Sequence, residues 1–156
     1  MSRLLKLFAL CSLPFALALA DTCITIWDTK YHYNYWRPVT AIQRADEDGN
    51  GTTIADKTWE PLLRTPPHPE YVSGHSGISG AAASILENHF GKENISFEAS
   101  SDDVKDIKRR FTSFQTCAEE IAMSRIYGGI HFPAAGSEGL KLGRKIAEYA
   151  LTHFKE

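Results

Sequence analysis

Cationic side chains that could bind an anion appear first in an aromatic-rich segment of this 156-residue chain. Lys30 and Arg37 lie seven residues apart among tryptophans and tyrosines. On a helix, that spacing places two side chains about 20° apart on one face. The aromatic density favours partial burial, so we expect the pair to belong to a site. The alternative is a solvated surface that carries two cations.

A second group, Ser73-Gly74-His75, directly precedes a predicted helix. The N–H groups at a helix N-terminus lack intrahelical partners and carry the positive end of the dipole, so they favour anions. Ser73 would add a hydroxyl donor, and Gly74 would allow an anion to approach closely. His75 would place a titratable imidazole at the mouth of this turn. An ordinary serine N-cap is the alternative.

The third group contains Arg125 and His131, which are separated by Gly128-Gly129. Apolar residues at steps of three and four predict one buried helix face, and the next step of the series falls on Arg125. The series consists of Val104, Ile107, Phe111, Phe114, Ala118 and Ile121. A buried, unpaired charge costs several kcal/mol. Because no other segment offers an acid on an evident apolar face, a bound anion is a candidate partner. A salt bridge to a core carboxylate is the alternative. The two glycines would turn the chain so that His131 faces back.

Helices must position these three groups. We predict helices over residues 22–40 (ending near Pro38), over residues 76–90 (stopped by Gly91) and over residues 137–154. Another helix is predicted between a Ser100 or Ser101 cap and Gly128-Gly129, with Asp102 and Asp103 at its positive end. Residues 44–69 are rich in proline and glycine and predict a long loop. The inner face of the last helix is predicted to consist of Leu140, Gly143, Ala147, Ala150, Leu151 and Phe154. The fold class is therefore all-α, with four to five helices.

Composition limits the classes of partner. The formal net charge of −2 favours neither a nucleic acid nor an anionic membrane, and the length suits one domain. The three cysteines, Cys11, Cys23 and Cys117, fit no zinc module. If Cys11 is removed with a leader, Cys23 and Cys117 could form a disulfide. Two buried thiols are the alternative.

Residues 1–20 fit either a signal peptide or a leading helix. Arg3 and Lys6 precede an apolar run over residues 7–19, and Ala18-Leu19-Ala20 resembles a leader-peptidase site. The run is too short, and contains Pro14, for a transmembrane helix. The signal peptide is slightly favoured, and with it a secreted or periplasmic location. Residues 21–156 would then form the catalytic domain.

The order of the motifs resembles a known signature. Lys30-x6-Arg37-Pro38, Ser73-Gly74-His75 and Ser124-Arg125-x5-His131 are similar to the three motifs of the vanadium-dependent haloperoxidases. The type 2 phosphatidic acid phosphatase superfamily shares this signature. The longer segments around the motifs, residues 27–42, 66–83 and 123–132, look closer to the haloperoxidase-like branch. The resemblance implies an all-α helical bundle of the haloperoxidase/acid phosphatase type. Because such haloperoxidases are usually much longer, the alternatives for this chain are a fragment, a truncated gene product or a minimal version that forms homo-oligomers.

The resemblance implies a role for each residue. Equatorial oxygens of vanadate or phosphate would be bound by Lys30, Arg37, Ser73, Gly74 and Arg125. His131 would be the axial ligand of vanadium, or the nucleophile in a phosphatase, and His75 would be the general acid/base. Lys30 would also activate peroxide. His68 and Trp27 would lie next to the residues that bind the oxyanion. The substrates would be peroxide and halide with vanadate as cofactor, or a phosphate ester with no cofactor.

Two positions depart from the pattern of this family. Val72 stands where proline is usual, and Ala135 stands where an aspartate usually follows the histidine by four residues. Since that aspartate would support the residues that bind the oxyanion, alanine at this position predicts a less firmly oriented His131. A backbone carbonyl could replace it. These departures also leave open a non-catalytic member that only binds phosphate.

Overall fold

The computed structural model describes residues 3–92, 95–101 and 104–154, which form a helical bundle with one small hairpin. The elements are α1 (Arg3–Tyr33), α2 (Pro38–Gln43), a 3₁₀ turn (Ala45–Glu47), α3 (Gly74–Phe90), β1 (Phe97–Ser101), β2 (Val104–Phe111), α4 (Phe114–Tyr127) and α5 (Pro133–His153). The predicted all-α class is confirmed, and a two-stranded antiparallel hairpin is added to it.

The first helix is longer at its start and shorter at its end than the sequence predicts. It begins at Arg3 and ends at Tyr33, because Asn34 adopts a positive φ of 45°. Arg37 is extended (φ −82°, ψ 157°) and is the N-cap of α2, whose first residue is Pro38. A residue before proline is disfavoured in the α region. The predicted single helix over residues 22–40 is therefore wrong, and Lys30 and Arg37 share no helix face.

Residues 13–20 belong to α1 and pack into the bundle. Ala18 is fully buried and packs with Ala81, Ile85, Ala147 and Ala150. Among the described residues, no helix is both long enough and apolar enough to cross a membrane.

The third helix follows the prediction closely. It begins after the N-cap Ser73, whose hydroxyl accepts from the Ser76 N–H, and ends at Gly91, which has a φ of 87°. The long loop predicted over residues 44–69 is present, apart from the 3₁₀ turn.

The predicted helix that Ser100 or Ser101 caps is wrong over its first half. Residues 104–111 form a strand, in which Val104 and Ile107 are 48% and 54% exposed. β-branched and aromatic side chains favour strands, and Phe97 pairs with Phe111 across the hairpin, with ring centroids 5.4 Å apart. Asp102 and Asp103 lie outside the described residues. The helix begins only at Phe114, after the Ser113 cap.

The two central helices, α3 and α5, cross at glycines. A Cβ at Gly80 would lie 2.7 Å from the Leu140 carbonyl oxygen, and one at Gly143 would lie 2.7 Å from the Ala81 nitrogen. The predicted inner face of α5 is buried at four positions and partly buried at Leu151. The prediction that Phe154 belongs to this inner face is wrong, because Phe154 lies just beyond α5 and is 44% exposed.

The disulfide prediction is wrong, because Cys23 and Cys117 are both free thiols. Cys23 is exposed on α1, so it is not a buried thiol either. Cys117 is partly buried on α4, and burial raises the pKa of its thiol.

The helix crossing predicts that Gly143→Ala destabilises the fold. A methyl group there meets the backbone of α3, and overpacking of this kind costs about 1–3 kcal/mol. Urea unfolding followed by circular dichroism measures the loss. The matched control is Gly51→Ala, where a Cβ would meet nothing within 4 Å, so a change below about 0.5 kcal/mol is expected. Equal stability of the two variants would contradict the tight crossing.

Candidate oxyanion site

Most of the predicted site residues line a pocket of about 320 Å³. Its lining includes Trp27, His68, Gly74, His75, Arg125 and His131. The other three predicted residues, Lys30, Arg37 and Ser73, are buried beside it. The nine residues come from α1, the linker before α2, the loop before α3, α3 itself, α4 and the turn before α5.

Lys30 is fully buried, and its ammonium group contacts the loop before α3. Nζ donates to the carbonyl oxygens of Pro69 at 2.9 Å and Glu70 at 3.0 Å. An ammonium group has three N–H donors, so one remains for an anion. Desolvation, and next the charge of Arg37, lower the pKa of Lys30 to about 8, while Glu70 acts in the opposite direction.

Arg37 directs all five of its N–H donors at protein acceptors. Nε donates to the His68 carbonyl at 3.0 Å, and Nη1 donates to the Ile130 carbonyl at 2.7 Å and to His131 Nε2 at 3.1 Å. Nη2 donates to the Pro69 carbonyl at 3.4 Å and lies 3.1 Å from His68 Nδ1, which accepts from it only in the tautomer that does not donate to that carbonyl. Arg37 and Lys30 are therefore linked through a shared carbonyl. To bind an anion, Arg37 must exchange one of these acceptors.

These contacts define the tautomer of His131. A guanidinium group can only donate, so His131 Nε2 accepts and the ring proton lies on Nδ1. Nδ1 donates to Glu70 Oε1 at 2.7 Å, and the Phe132 N–H donates to the same oxygen at 2.9 Å. Desolvation lowers the pKa of His131 more than the bond to Glu70 raises it. The imidazole is thus neutral near pH 7, with a lone pair on Nε2.

Sequence reasoning missed Glu70, which is 1% exposed. A search for acids on apolar helix faces cannot find a carboxylate in a proline-rich loop. The signal that remained was its position, two residues after His68. Ala135, by contrast, is fully buried, and its carbonyl accepts from the Ser73 N–H at 3.0 Å. The predicted loosening of His131 is therefore wrong, because Glu70 holds the imidazole.

The turn before α3 has the features that favour an anion. The Ser73 hydroxyl accepts from the N–H of Ser76 at 3.4 Å and from its hydroxyl at 2.9 Å, which leaves its own proton to donate. A Cβ at Gly74 would meet nothing within 4 Å, so the space beside this backbone is open. Desolvation and the charge of Arg125 lower the pKa of His75, which keeps this imidazole neutral near pH 7.

Trp27 and His68 form one wall of the pocket. Their rings meet edge to face, with centroids 4.7 Å apart. Desolvation is the largest influence on His68 and lowers its pKa, so this imidazole is also neutral near pH 7.

Arg125 lacks a partner at one of its buried atoms. Among the described residues, its Nε is the one buried side-chain nitrogen or oxygen without a hydrogen bond. Desolvation lowers its pKa. The buried carboxylate of Glu70 balances one of the three cations Lys30, Arg37 and Arg125. Two positive charges remain unbalanced, and a multiply charged oxyanion fits both this surplus and the orphaned donor.

Comparison with known proteins identifies the family. The family model for the VCPO second helical-bundle domain matches residues 11–156. The chain therefore belongs to the vanadium haloperoxidase superfamily. It is 36% identical over 93 residues to a vanadium-dependent bromoperoxidase of Corallina pilulifera, across 53% of this chain and 16% of that protein. It is 26% identical over 91 residues to a vanadium chloroperoxidase of Curvularia inaequalis, across 54% of this chain and 14% of that protein.

Solved structures agree with this assignment. A bacterial vanadium-dependent iodoperoxidase superposes with a TM-score of 0.81 at 38% identity, across 93% of this chain. A holo-type bacterial vanadium-dependent chloroperoxidase superposes with a TM-score of 0.70 at 24% identity, which supports the fold alone. The chain spans 33% of the iodoperoxidase chain and 16% of the bromoperoxidase.

The orphaned Nε predicts an unusual outcome for Arg125→Met. Without an added anion, the free energy of unfolding should stay the same or rise by about 1 kcal/mol, because a half-buried guanidinium whose Nε has no partner is replaced by an apolar chain. The rise in melting temperature on adding phosphate should be lost. Arg144→Met is the matched control, since its guanidinium bonds Gln115 and Glu119 away from the pocket. If phosphate still raises the melting temperature of Arg125→Met as much as that of wild type, Arg125 does not bind the anion.

Proposed function

We propose that this chain binds vanadate in the pocket and catalyses the oxidation of halide by hydrogen peroxide. The observation that carries the proposal is the buried, unpartnered Nε of Arg125, which belongs to a pocket that His131 also lines. Membership of the vanadium haloperoxidase superfamily supports the choice of vanadate. Because the chain covers a third or less of these relatives, the activity of the whole protein is part of the proposal.

The oxyanion would be held by donors from three sides. Arg125 would supply Nε, Lys30 would supply its third N–H, and Ser73-Gly74 would supply the hydroxyl and the backbone N–H. Arg37 would turn one Nη1 donor from His131 to the anion. Nε2 of His131 would then be free to bind the vanadium. Most of these groups already lie in place, so little reorganisation opposes binding.

Vanadate, when bound, would supply a Lewis acid that makes hydrogen peroxide reactive toward halide. His75 is neutral near pH 7 because its pKa is lowered, so its imidazole would accept a proton from peroxide. The Lys30 ammonium would stabilise negative charge on an oxygen of the oxyanion. Trp27 and His68 would form the wall beside which halide approaches, with hypohalous acid as the product.

An acid phosphatase is the second candidate, because the same donors suit the five-coordinate transition state of phosphoryl transfer. Nε2 of His131 carries a lone pair and would attack phosphorus, while His75 in its protonated form would donate a proton to the leaving alcohol. This reaction needs no cofactor. A non-catalytic member would bind phosphate and turn nothing over.

We expect vanadate-loaded protein to oxidise bromide or iodide with hydrogen peroxide, and His131→Ala to abolish this activity. Both halides are assayed because the similar proteins include bromoperoxidases and an iodoperoxidase. His153→Ala, at an exposed residue stacked on Tyr149, is the control and should stay active.

The same preparations separate the alternatives. Hydrolysis of p-nitrophenyl phosphate that vanadate inhibits, without halide oxidation, would assign the site to a phosphatase. Tight phosphate binding with neither activity would assign it to a non-catalytic member.

Phosphate affinity should fall as pH rises through the pKa of Lys30, which is about 8 in the anion-free protein. The protonated ammonium favours the anion, and a bound anion in turn raises this pKa. Affinity is therefore highest below about pH 8 and falls by up to about tenfold per pH unit above it. Calorimetric titration between about pH 7.5 and about pH 9.5 measures the fall, since phosphate keeps two charges over most of this window.

Lys30→Met is the control for this titration. It should bind more weakly, and its affinity should change little over the same pH range. A wild-type affinity that does not change with pH would contradict the assignment of Lys30 to the site.

A further inference from the structure

We propose that Glu70 is the positioning residue of the site: it holds His131 with the proton on Nδ1, so that the Nε2 lone pair is presented to the oxyanion. The identity of that oxyanion rests on the proposed function above. The orientation of the imidazole does not, because it follows from contacts within the chain.

One carboxylate oxygen accepts two hydrogen bonds from neighbouring residues. Oε1 accepts the ring proton of His131 at 2.7 Å and the backbone N–H of Phe132 at 2.9 Å. The ring is thereby tied to the backbone of the next residue through a single atom. Glu70 and His131 are 1% and 6% exposed, and a charge-assisted bond of this kind is stronger when it is shielded from water.

The backbone of Glu70 is held as firmly as its side chain. Its N–H donates to the Tyr35 carbonyl at 2.9 Å, and its own carbonyl accepts from Lys30 Nζ at 3.0 Å. Both partners belong to the end of α1 or to the linker before α2. The carboxylate therefore has a fixed origin, and His131 is oriented from a different part of the chain than its own.

No rival for this role lies at the start of α5. Ala135, four residues after His131, carries only a methyl group, and its carbonyl is used by the Ser73 N–H. A carboxylate from the loop before α3 therefore does what a side chain of α5 cannot do here. Such partners of a ligating histidine fix its tautomer and raise its basicity, and their loss typically lowers metal affinity about 10–100-fold.

A competing view assigns Glu70 only to charge balance, and the two views predict opposite signs. If Glu70 merely offsets the cations, removing its charge increases the positive surplus, so vanadate binds more tightly. If Glu70 positions His131, Nε2 becomes a poorer ligand and vanadate binds more weakly. Glu70→Gln and Glu70→Leu separate the effects, because a glutamine oxygen can still accept both hydrogen bonds whereas leucine accepts neither.

The test combines vanadate affinity with a direct reading of the tautomer. Protein labelled with ¹⁵N-histidine is examined by long-range ¹H–¹⁵N NMR without added anion, and the His131 signals are assigned with His131→Ala. Because the Arg37 guanidinium also requires a proton-free Nε2, the tautomer is read in the Arg37→Met background. There we expect the Nδ1–H tautomer with Glu70 intact or with Glu70→Gln, and a mixed tautomer with Glu70→Leu. Vanadate affinity should fall a few-fold in Glu70→Gln and about 10–100-fold in Glu70→Leu.

Glu148→Gln, at an exposed glutamate of α5, is the matched control and should resemble wild type in both measurements. Vanadate binding by Glu70→Gln that equals or exceeds wild type would overturn the proposal. So would an unchanged tautomer when Glu70→Leu is added to Arg37→Met. Should Glu70→Leu fail to fold, Glu70→Gln still decides by the sign of its change in affinity.

Failure of the proposed function gives a different result. Wild type that binds vanadate but oxidises no halide would reject the haloperoxidase activity. Vanadate affinity and the His131 tautomer would still test the role of Glu70. Wild type that does not bind vanadate would also reject it, and the tautomers of Arg37→Met with and without Glu70→Leu would then decide the role of Glu70 alone.

Discussion

The whole site depends on the contacts of one short segment, residues 68–70. Its three carbonyl groups accept from the buried cations Lys30 and Arg37, and the Glu70 carboxylate accepts from His131 and Phe132. The N–H of Glu70 then ties the segment to Tyr35. The linker before α2 and the turn before α5 are thus fixed relative to each other through a loop. A loop can serve as a scaffold here because buried donors satisfy its polar groups.

The helices supply the rigid frame that this loop requires. Glycines let α3 and α5 approach until backbone meets backbone, and Gly139 lets the turn at Ser73 sit against α5. The Ser73 N–H reaches the Ala135 carbonyl in the first turn of α5, only four residues from His131. The turn that favours an anion and the histidine beside it are therefore held by the same contact between α3 and α5. A substitution that shifts this contact would also shift the residues of the site.

The sequence predicted the parts that depend on local signals, namely the helix after Ser73-Gly74-His75, its end at Gly91 and the break at Gly128-Gly129. Helical periodicity failed at Val104 and Ile107 because a strand that pairs with β1 can carry apolar residues at the same spacing. It also paired Lys30 with Arg37 for the wrong reason, since Pro38 imposes an extended Arg37. Glu70 was beyond local reasoning. Its partner lies 61 residues away, and only the folded chain brings the two together.

The contact between Arg37 and His131 satisfies both groups within the chain. Arg37 Nη1 occupies the same Nε2 lone pair that an oxyanion would use, so the histidine is satisfied and the guanidinium has an acceptor. Binding must break that contact, which lowers affinity, but the freed N–H is then available to the incoming oxyanion. The exchange keeps the number of Arg37 hydrogen bonds constant. In the proposed complex the net gain would come from Arg125, whose buried Nε has no partner to lose among the described residues.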